Sequence, residues 1–358
     1  MRRLLLHKLG YGLAVALGVL VLTFSLFFLL PADPAKMMAG QRGDKASEDA
    51  IRRELGLDRP VWKRFLAYLN QVSPLSLHHQ NTESLIALRK LADNSYFDII
   101  KTNDWVMVLK WPDLGRSFQS KRSVVSVLSS AMPATLVLAF TAMLFATLAG
   151  VAAGVWLSTR PGSFADYSVQ FIAVLGMAGP SFFIALLVAW LFGYHWSEYT
   201  GLPMTGSLFE IDDLGRGKIF SPANLILPAF TLGIRPLSLV IQLTRNAMLE
   251  VMQQDYIRTA RAKGLSEYRV LFRHALPNAL NPVITAVSGW FAGLLAGAVF
   301  IEYIFGWHGL GKEMVDALEN FDFPVVMGAV LMLSMLFVLI NLLVDMLYAT
   351  LDPRVRLS

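Results

Sequence analysis

The sequence predicts an all-α membrane protein of six transmembrane helices, with an extracytoplasmic domain inserted between helices 1 and 2. Three observations carry this expectation. The 358 residues are 55% hydrophobic with a mean hydropathy of +0.52, above the roughly 45–50% apolar content of soluble domains. Only 16% are charged, and those residues sit between long uncharged stretches. Apolar runs of about 20 residues, enough to cross a hydrocarbon core roughly 30 Å thick, recur along the chain.

The first run, Tyr11–Leu30, follows Arg2, Arg3 and Lys8. Its basic start and Pro31-Ala32 resemble a signal peptide, but an apolar core of about 20 residues exceeds the usual 7–15 and predicts an uncleaved anchor. The hydrophilic stretch Pro31–Ala131 follows. Helices are expected at Ser47–Leu55 and Val61–Val72, separated by Leu57-Asp58-Arg59-Pro60, since Pro ends a helix. A further helix is expected at Leu85–Leu91 and a short strand at Trp105–Lys110. The adjacent His78 and His79 read as a solvated pair rather than a metal site, and no catalytic constellation is present in this stretch.

Runs Pro133–Leu157, Val169–Tyr194, Pro282–Ile301 and Val325–Val344 are uncharged, and Leu225–Leu243 is interrupted only by Arg235. Gly289, Gly293 and Gly297, with Ala292 and Ala296, give one helix a flat face, and Gly150 and Gly154 repeat the device; in lipid such faces permit close helix packing. Packing within the subunit, packing against a partner and the lining of a conduit are all compatible with that pattern. Gly176, Gly179 and Pro180-Ser181 predict a kink in the third run. The Lys/Arg bias of short flanks sets orientation. The amino terminus, the segment after the fourth run (Arg245, Arg258, Arg261, Lys263, Arg269, Arg273) and the tail (Arg354, Arg356) are basic, whereas the loop holding Glu313, Asp316, Glu319 and Asp322 is acidic. Both termini are therefore expected in the cytoplasm, and Pro31–Ala131 outside.

The net charge of +5 does not point to nucleic acid, because no basic stripe interleaves with aromatics and basic cytoplasmic loops belong to membrane proteins generally. The absence of Cys removes disulfides and thiolate chemistry. Gly306–Glu313 nearly spells a phosphate-binding loop, yet Glu313 stands where Ser or Thr must meet Mg²⁺, and the stretch follows a span rather than a strand.

The most specific segment is Asp255–Pro282. Asp255–Lys263 reads as a short helix with small residues Thr259, Ala260 and Ala262, and Gly264 suits the left-handed position that ends it. Ser266 is expected to cap a second helix opened by Glu267. Pro277 is expected to break that helix, and Asn281-Pro282 to start the fifth span. A small-residue helix flanked by Arg suits docking into a protein groove; its charge would equally suit adhesion to anionic lipid.

This segment resembles the cytoplasmic loop of ABC importer permeases, whose pattern is Glu-Ala-Ala, three residues, Gly, nine residues, then Ile, any residue, Leu-Pro. Ala260, Gly264, Leu276 and Pro277 fall on it. Arg258, Thr259 and His274 depart from it in the manner of the dipeptide, oligopeptide and nickel permease branch, where Arg-Thr-Ala-Arg-Ala-Lys-Gly is common. Leu55–Pro60, Asp113-Leu114-Gly115 with Ser117, Pro133-Ala134-Thr135, Leu243-Thr244-Arg245, Gly309-Leu310-Gly311, Phe323-Pro324-Val325 and Asp352-Pro353-Arg354 resemble that branch in order, while roughly Ser73–Trp111 looks like an insertion.

The resemblance implies a bacterial inner-membrane permease that alternates access and is itself no enzyme. It implies partnership with ABC ATPase subunits that bind ATP and Mg, with a second permease, homologous or identical, and with an extracytoplasmic solute-binding protein. It also implies a chain divided into an anchor (1–30), an extracytoplasmic region (31–131), a permease core (132–350) with a cytoplasmic coupling loop at 245–281, and a tail (351–358). Arg258, Thr259, Ala260, Ala262, Gly264, Leu276 and Pro277 form the expected coupling loop, with Ala260 in direct contact with an ATPase. Peptides are the expected cargo, with nickel or another small solute as the alternative. An intramembrane enzyme or sensor lacks the Ser/His, paired Asp or metal-ligand clusters it would need in the spans, and a secondary transporter would show repeated halves. Because ionisable groups in a span mark candidate pathways, Arg235, Glu302, Asn341 and Asp345 are candidates for translocation or gating. Snorkelling or structural pairing is the favoured reading for Arg235, and hydrogen bonding within the helix for Asn341 and Asp345.

Overall fold

A long apolar run folds as a helix because lipid offers its backbone no hydrogen-bond partner, so each N–H and C=O must be satisfied within the segment. The computed structural model describes residues 2–29, 44–54, 57–80, 86–87, 96–211 and 217–351. In chain order the elements are α1 (Arg2–Leu29), α2 (Lys45–Glu54), α3 (Val61–Val72), β1 (Leu75–His79), β2 (Tyr96–Lys101), β3 (Trp105–Lys110), α4 (Val124–Ser158) and α5 (Phe164–Ala178). They continue with α6 (Ser181–His195), β4 (Phe209–Ile211), β5 (Lys218–Phe220), α7 (Ala223–Val251), α8 (Asp255–Ala262), α9 (Glu267–Ile304), α10 (Leu310–Glu319) and α11 (Phe323–Leu351). Among the described residues four helices are long and apolar enough to cross a membrane, five if α5 and α6 count as one span, and α1 carries a shorter apolar helix at Gly10–Ser25.

The third apolar run is not one kinked helix. It breaks at Gly179-Pro180, where α5 and α6 meet at 113° and both residues are extended, with ψ 144° and 135°. Pro180 lacks an N–H and pushes the residue before it out of the helical region. The far end of α6, Ala189–His195, widens into π-helical turns.

The chain is mostly helical rather than all-α. Residues 75–110 form a three-stranded antiparallel sheet in the order β1-β3-β2, and β4 pairs with β5. In β3 the alternation that defines a strand turns Val106, Val108 and Lys110 inward, all buried. In β1 it turns Ser76 and His78 inward, so His78 is buried rather than solvated. It lies 2.9 Å from the Ser76 hydroxyl and 3.2 Å from the Ile86 carbonyl, while His79 packs edge-on against Trp105. Every residue of β2 is exposed, which leaves no inside-outside pattern to read. Of the helix expected at Leu85–Leu91 only Ile86 and Ala87 are described, and Ala87 bridges to His79. Pro31-Ala32, Leu55-Gly56 and Asp352-Pro353-Arg354 lie outside the described residues.

The chain divides into two compact units. The larger contains Ala131–Lys312 and Leu336–Ser358. Its core includes Leu138, Ala142, Leu227, Leu232, Leu295, Phe305 and Trp307. Small residues set its helix spacing: Cβ atoms at Gly150 and Gly154 would stand 2.7 and 2.6 Å from Val240 and Thr244 of α7. Gly289 and Gly293 differ, since a Cβ at either meets nothing within 4 Å. The other unit contains Arg3–Ser130 and Glu313–Met335; there Leu20, Val72 and Leu331 pack together, and Phe24 lies 5.1 Å from Phe65 and 6.1 Å from Tyr68.

Candidate functional site

The segment between α7 and α9 folds on itself before it can meet anything else. Met252 ends α7, and α8 begins after the extended Gln254. On α8, residues three apart share a face: Ile257 and Ala260 turn inward against Val155, Met248, Val270, Ala275 and Ala279. Arg258, Thr259, Arg261, Ala262 and Lys263 remain exposed. Ala260 is only 7% exposed, so the small side chain that allows a close approach serves α8 against its own chain. Direct partner contact was expected at Ala260; its side chain turns inward, and the outward face of α8 is the one formed by Arg258, Thr259 and Ala262.

Gly264 has a φ of +77° and would carry a Cβ into open space. It reverses the chain so that Arg261 reaches Glu267 in a two-pronged ion pair at 2.8 and 3.2 Å, and that carboxylate holds the guanidinium above its ordinary pKa. Asn278 ties α9 to α8 through the Tyr256 hydroxyl at 3.1 Å. Ser266 stands at the cap position with extended backbone but makes no side-chain cap bond. Pro277 does not break the helix. The turns before it, Val270–Ala275, are π-helical, and this wider winding receives a proline without interrupting α9, which runs 38 residues from Glu267 to Ile304. Leu276 is partly buried beside Ala275, and Pro282 lies inside the helix rather than starting it.

The intramembrane candidates have separate roles. Arg235 Nη2 donates to the Gly179 carbonyl at 2.8 Å, satisfying a backbone acceptor released where α5 stops. Glu302 is fully buried, and its Oε2 accepts the N–H groups of Gly311 and Lys312 at 2.6 and 3.2 Å. It thereby caps α10, whose first donor, Leu310 N–H, goes to Thr135 Oγ1 at 2.8 Å. The stretch resembling a phosphate loop is an anion cradle filled by the chain's own carboxylate; a Cβ at Gly309 would collide with it, and one at Gly311 chiefly with the backbone of Val299. Asn341 donates to Phe337 O one turn back at 3.0 Å. The side chain of Asp345 lies outside those described.

Two further carboxylates carry weight that the sequence concealed. Asp166 is 1% exposed and meets Arg245 of α7 through two bonds of 2.6 Å, with Gly162 N–H and Gln170 as further donors at 3.0 and 2.8 Å. In the other unit Asp322 accepts from Ser117 Oγ at 2.5 Å, Phe118 N–H at 2.9 Å and Gln119 N–H at 3.3 Å. The pairings span 79 and 205 residues, and local pattern cannot reveal such distant partners.

Comparison with known proteins concerns the sequence. Residues 146–357 match the family described as binding-protein-dependent transport system inner membrane component, and residues 1–82 match its membrane-component N-terminal family. The "Dipeptide transport system permease protein DppB" of Escherichia coli (strain K12) is 36% identical, the alignment covering 99% of each chain. The "Di/tripeptide transport system permease protein DppB" of Pseudomonas aeruginosa (strain UCBPP-PA14) is 36% identical over 98% of this chain and 97% of its own. A "Probable D,D-dipeptide transport system permease protein DdpB" of Escherichia coli (strain K12) is 35% identical over 98% and 97%.

Proposed function

This chain belongs to the binding-protein-dependent transport system inner membrane component family, and from that premise we propose that it is the membrane-spanning permease of an ATP-driven peptide importer. The observation that carries the reading is 36% identity across 99% of both chains with a dipeptide permease. The chain conducts cargo by alternating access, while partner ABC ATPase subunits bind ATP and Mg and perform the hydrolysis. An external solute-binding protein delivers the peptide, and a second permease completes the conduit; the open strip at Gly289 and Gly293 is a flat surface suited to it.

In this reading six spans cross a bacterial inner membrane, and the Lys/Arg bias of the short flanks supports both termini in the cytoplasm and residues 31–131 outside, with the permease core at 132–350. The coupling surface is the outward face of α8, Arg258, Thr259 and Ala262, fixed in attitude by inward Ala260, by Gly264 and by the Leu276-Pro277 entry into α9. Arg235, which braces the α5–α6 break, is the intramembrane group we assign to gating, and Glu302 is assigned to holding α10 in place.

The absence of native Cys makes the test clean. Cysteine introduced at 262 crosslinks to the ATPase in the assembled complex, whereas cysteine at 260 does not. Free reaction of position 262 with water-soluble reagents in that complex, with no crosslink, would overturn the coupling assignment.

A further inference from the structure

The unit that holds the three-stranded sheet encloses a cavity of about 510 Å³ that transport, as described above, leaves without a role. Among the described residues its lining includes Lys110 and Lys121, with Arg64 and Arg116, and one carboxylate, Asp113, which accepts the Gly115 N–H at 2.8 Å. Lys110 is the group most in need of a partner. Strand alternation turns it inward to 5% exposure, and among the described residues its ammonium donates only to the Gln71 carbonyl. An ammonium carries three donors, and a buried charge short of partners is costly. Burial pushes Lys110 below its ordinary pKa against the pull of the Asp113 carboxylate, and burial with the nearby Lys110 charge lowers that of His78, a fellow wall residue, against the Ile86 carbonyl and Asp113. An anion in the cavity would offset both effects.

The loop bearing Arg116 and Lys121 is fixed in advance. Asp322 grips Ser117, Phe118 and Gln119, and Lys121 is held at φ 59° with its N–H on Ser117 O at 3.1 Å. A non-glycine residue in that region is uncommon and is found where surroundings over-determine it. Phe24, Leu114 and Met327 supply an apolar wall.

We infer that this cavity binds a phosphate group, carried by a phospholipid headgroup or free in solution. Phosphate offers several oxygens to converging Lys and Arg donors and forms charge-assisted bonds with them; the apolar wall suits the first carbons of a lipid's acyl chains.

The full chain, purified in mild detergent and stripped of lipid, is titrated with phosphatidylglycerol, followed by native mass spectrometry, and with radiolabelled inorganic phosphate, followed by equilibrium dialysis. Saturable binding of either ligand is expected, weakened about tenfold by Lys121→Gln or Arg116→Gln, as loss of a charge-assisted bond requires. Lys101→Gln, on exposed β2, leaves it unchanged. Lys110→Gln abolishes binding and Lys110→Arg restores it, with thermal unfolding of each variant read alongside to separate loss of fold from loss of ligand. Lipid binding without phosphate binding assigns the site to a headgroup, and phosphate competing with lipid assigns it to the phosphate itself. The inference fails if neither ligand saturates, or if the Arg116→Gln, Lys121→Gln double variant binds both as the native chain does.

Discussion

At the scale of single residues, stability rests on carboxylates matched to donors remote in sequence. Asp166 and Arg245 form a pair in which the acid is 1% and the base 15% exposed. Removing one partner of a buried pair strands a charge and costs about 3–5 kcal/mol, whereas replacing both with apolar groups is often neutral. Arg245→Met is therefore expected to lower the thermal unfolding midpoint in detergent sharply, and Asp166→Leu with Arg245→Met to recover most of the loss; additive losses would show that the two do not act as a pair. Glu302 is held closer in sequence, by Gly311 and Lys312 nine and ten residues on. Gly309→Ala places a methyl group against that carboxylate, an overpacking cost of about 1–3 kcal/mol, measurable by the same unfolding assay. The sequence offered Glu302 as a gate because an acid at the end of an apolar run invites that reading; only the fold brings Gly311 and Lys312 round to meet it.

Elements were legible where the cause was local and misread where a neighbouring turn changed the rule. Gly264 was readable as a left-handed stop because its chemistry is its own. Pro277 was read as a break, which holds for a proline in regular α-helix, but the π-helical winding of Val270–Ala275 lies beyond simple periodicity. Ala260 was legible as a small contact residue and illegible in direction, since the face that turns inward depends on Met248, Val270 and Ala275 from flanking helices. At Gly264, where φ is +77° and space is open, the cost of a side chain is conformational alone. Gly264→Ala is expected to weaken the α8 turn by about 1 kcal/mol and to reduce ATP-dependent uptake while membrane insertion persists. Gly264→Asn, which tolerates that conformation better, retains more uptake. Equal uptake by the native, Ala and Asn forms would remove the turn from coupling.

For the molecule as a whole, composition and charge segregation carried the conclusion that the chain folds in a membrane, because both register the solvent in which it folds, while the family resemblance rested on the Asp255–Pro282 segment. The small sheet was only partly visible: β3 alternates, β1 is short, and β2 buries none of its residues. The proposed topology is tested at Gln80, just past β1 and exposed. Cysteine at 80 should react with a membrane-impermeant reagent in intact cells, and protection until lysis would overturn the orientation.

The continuity of α9 has a mechanical consequence. At 1.5 Å per residue, its 38 residues make a rod about 57 Å long. A broken helix would absorb a push at its cytoplasmic end as bending at a joint. This one runs unbroken past Pro277 and Pro282, so a tilt or twist applied at Glu267 arrives at Ile304 as lever motion, with Glu302, and the helix it caps, at the far end of the arm.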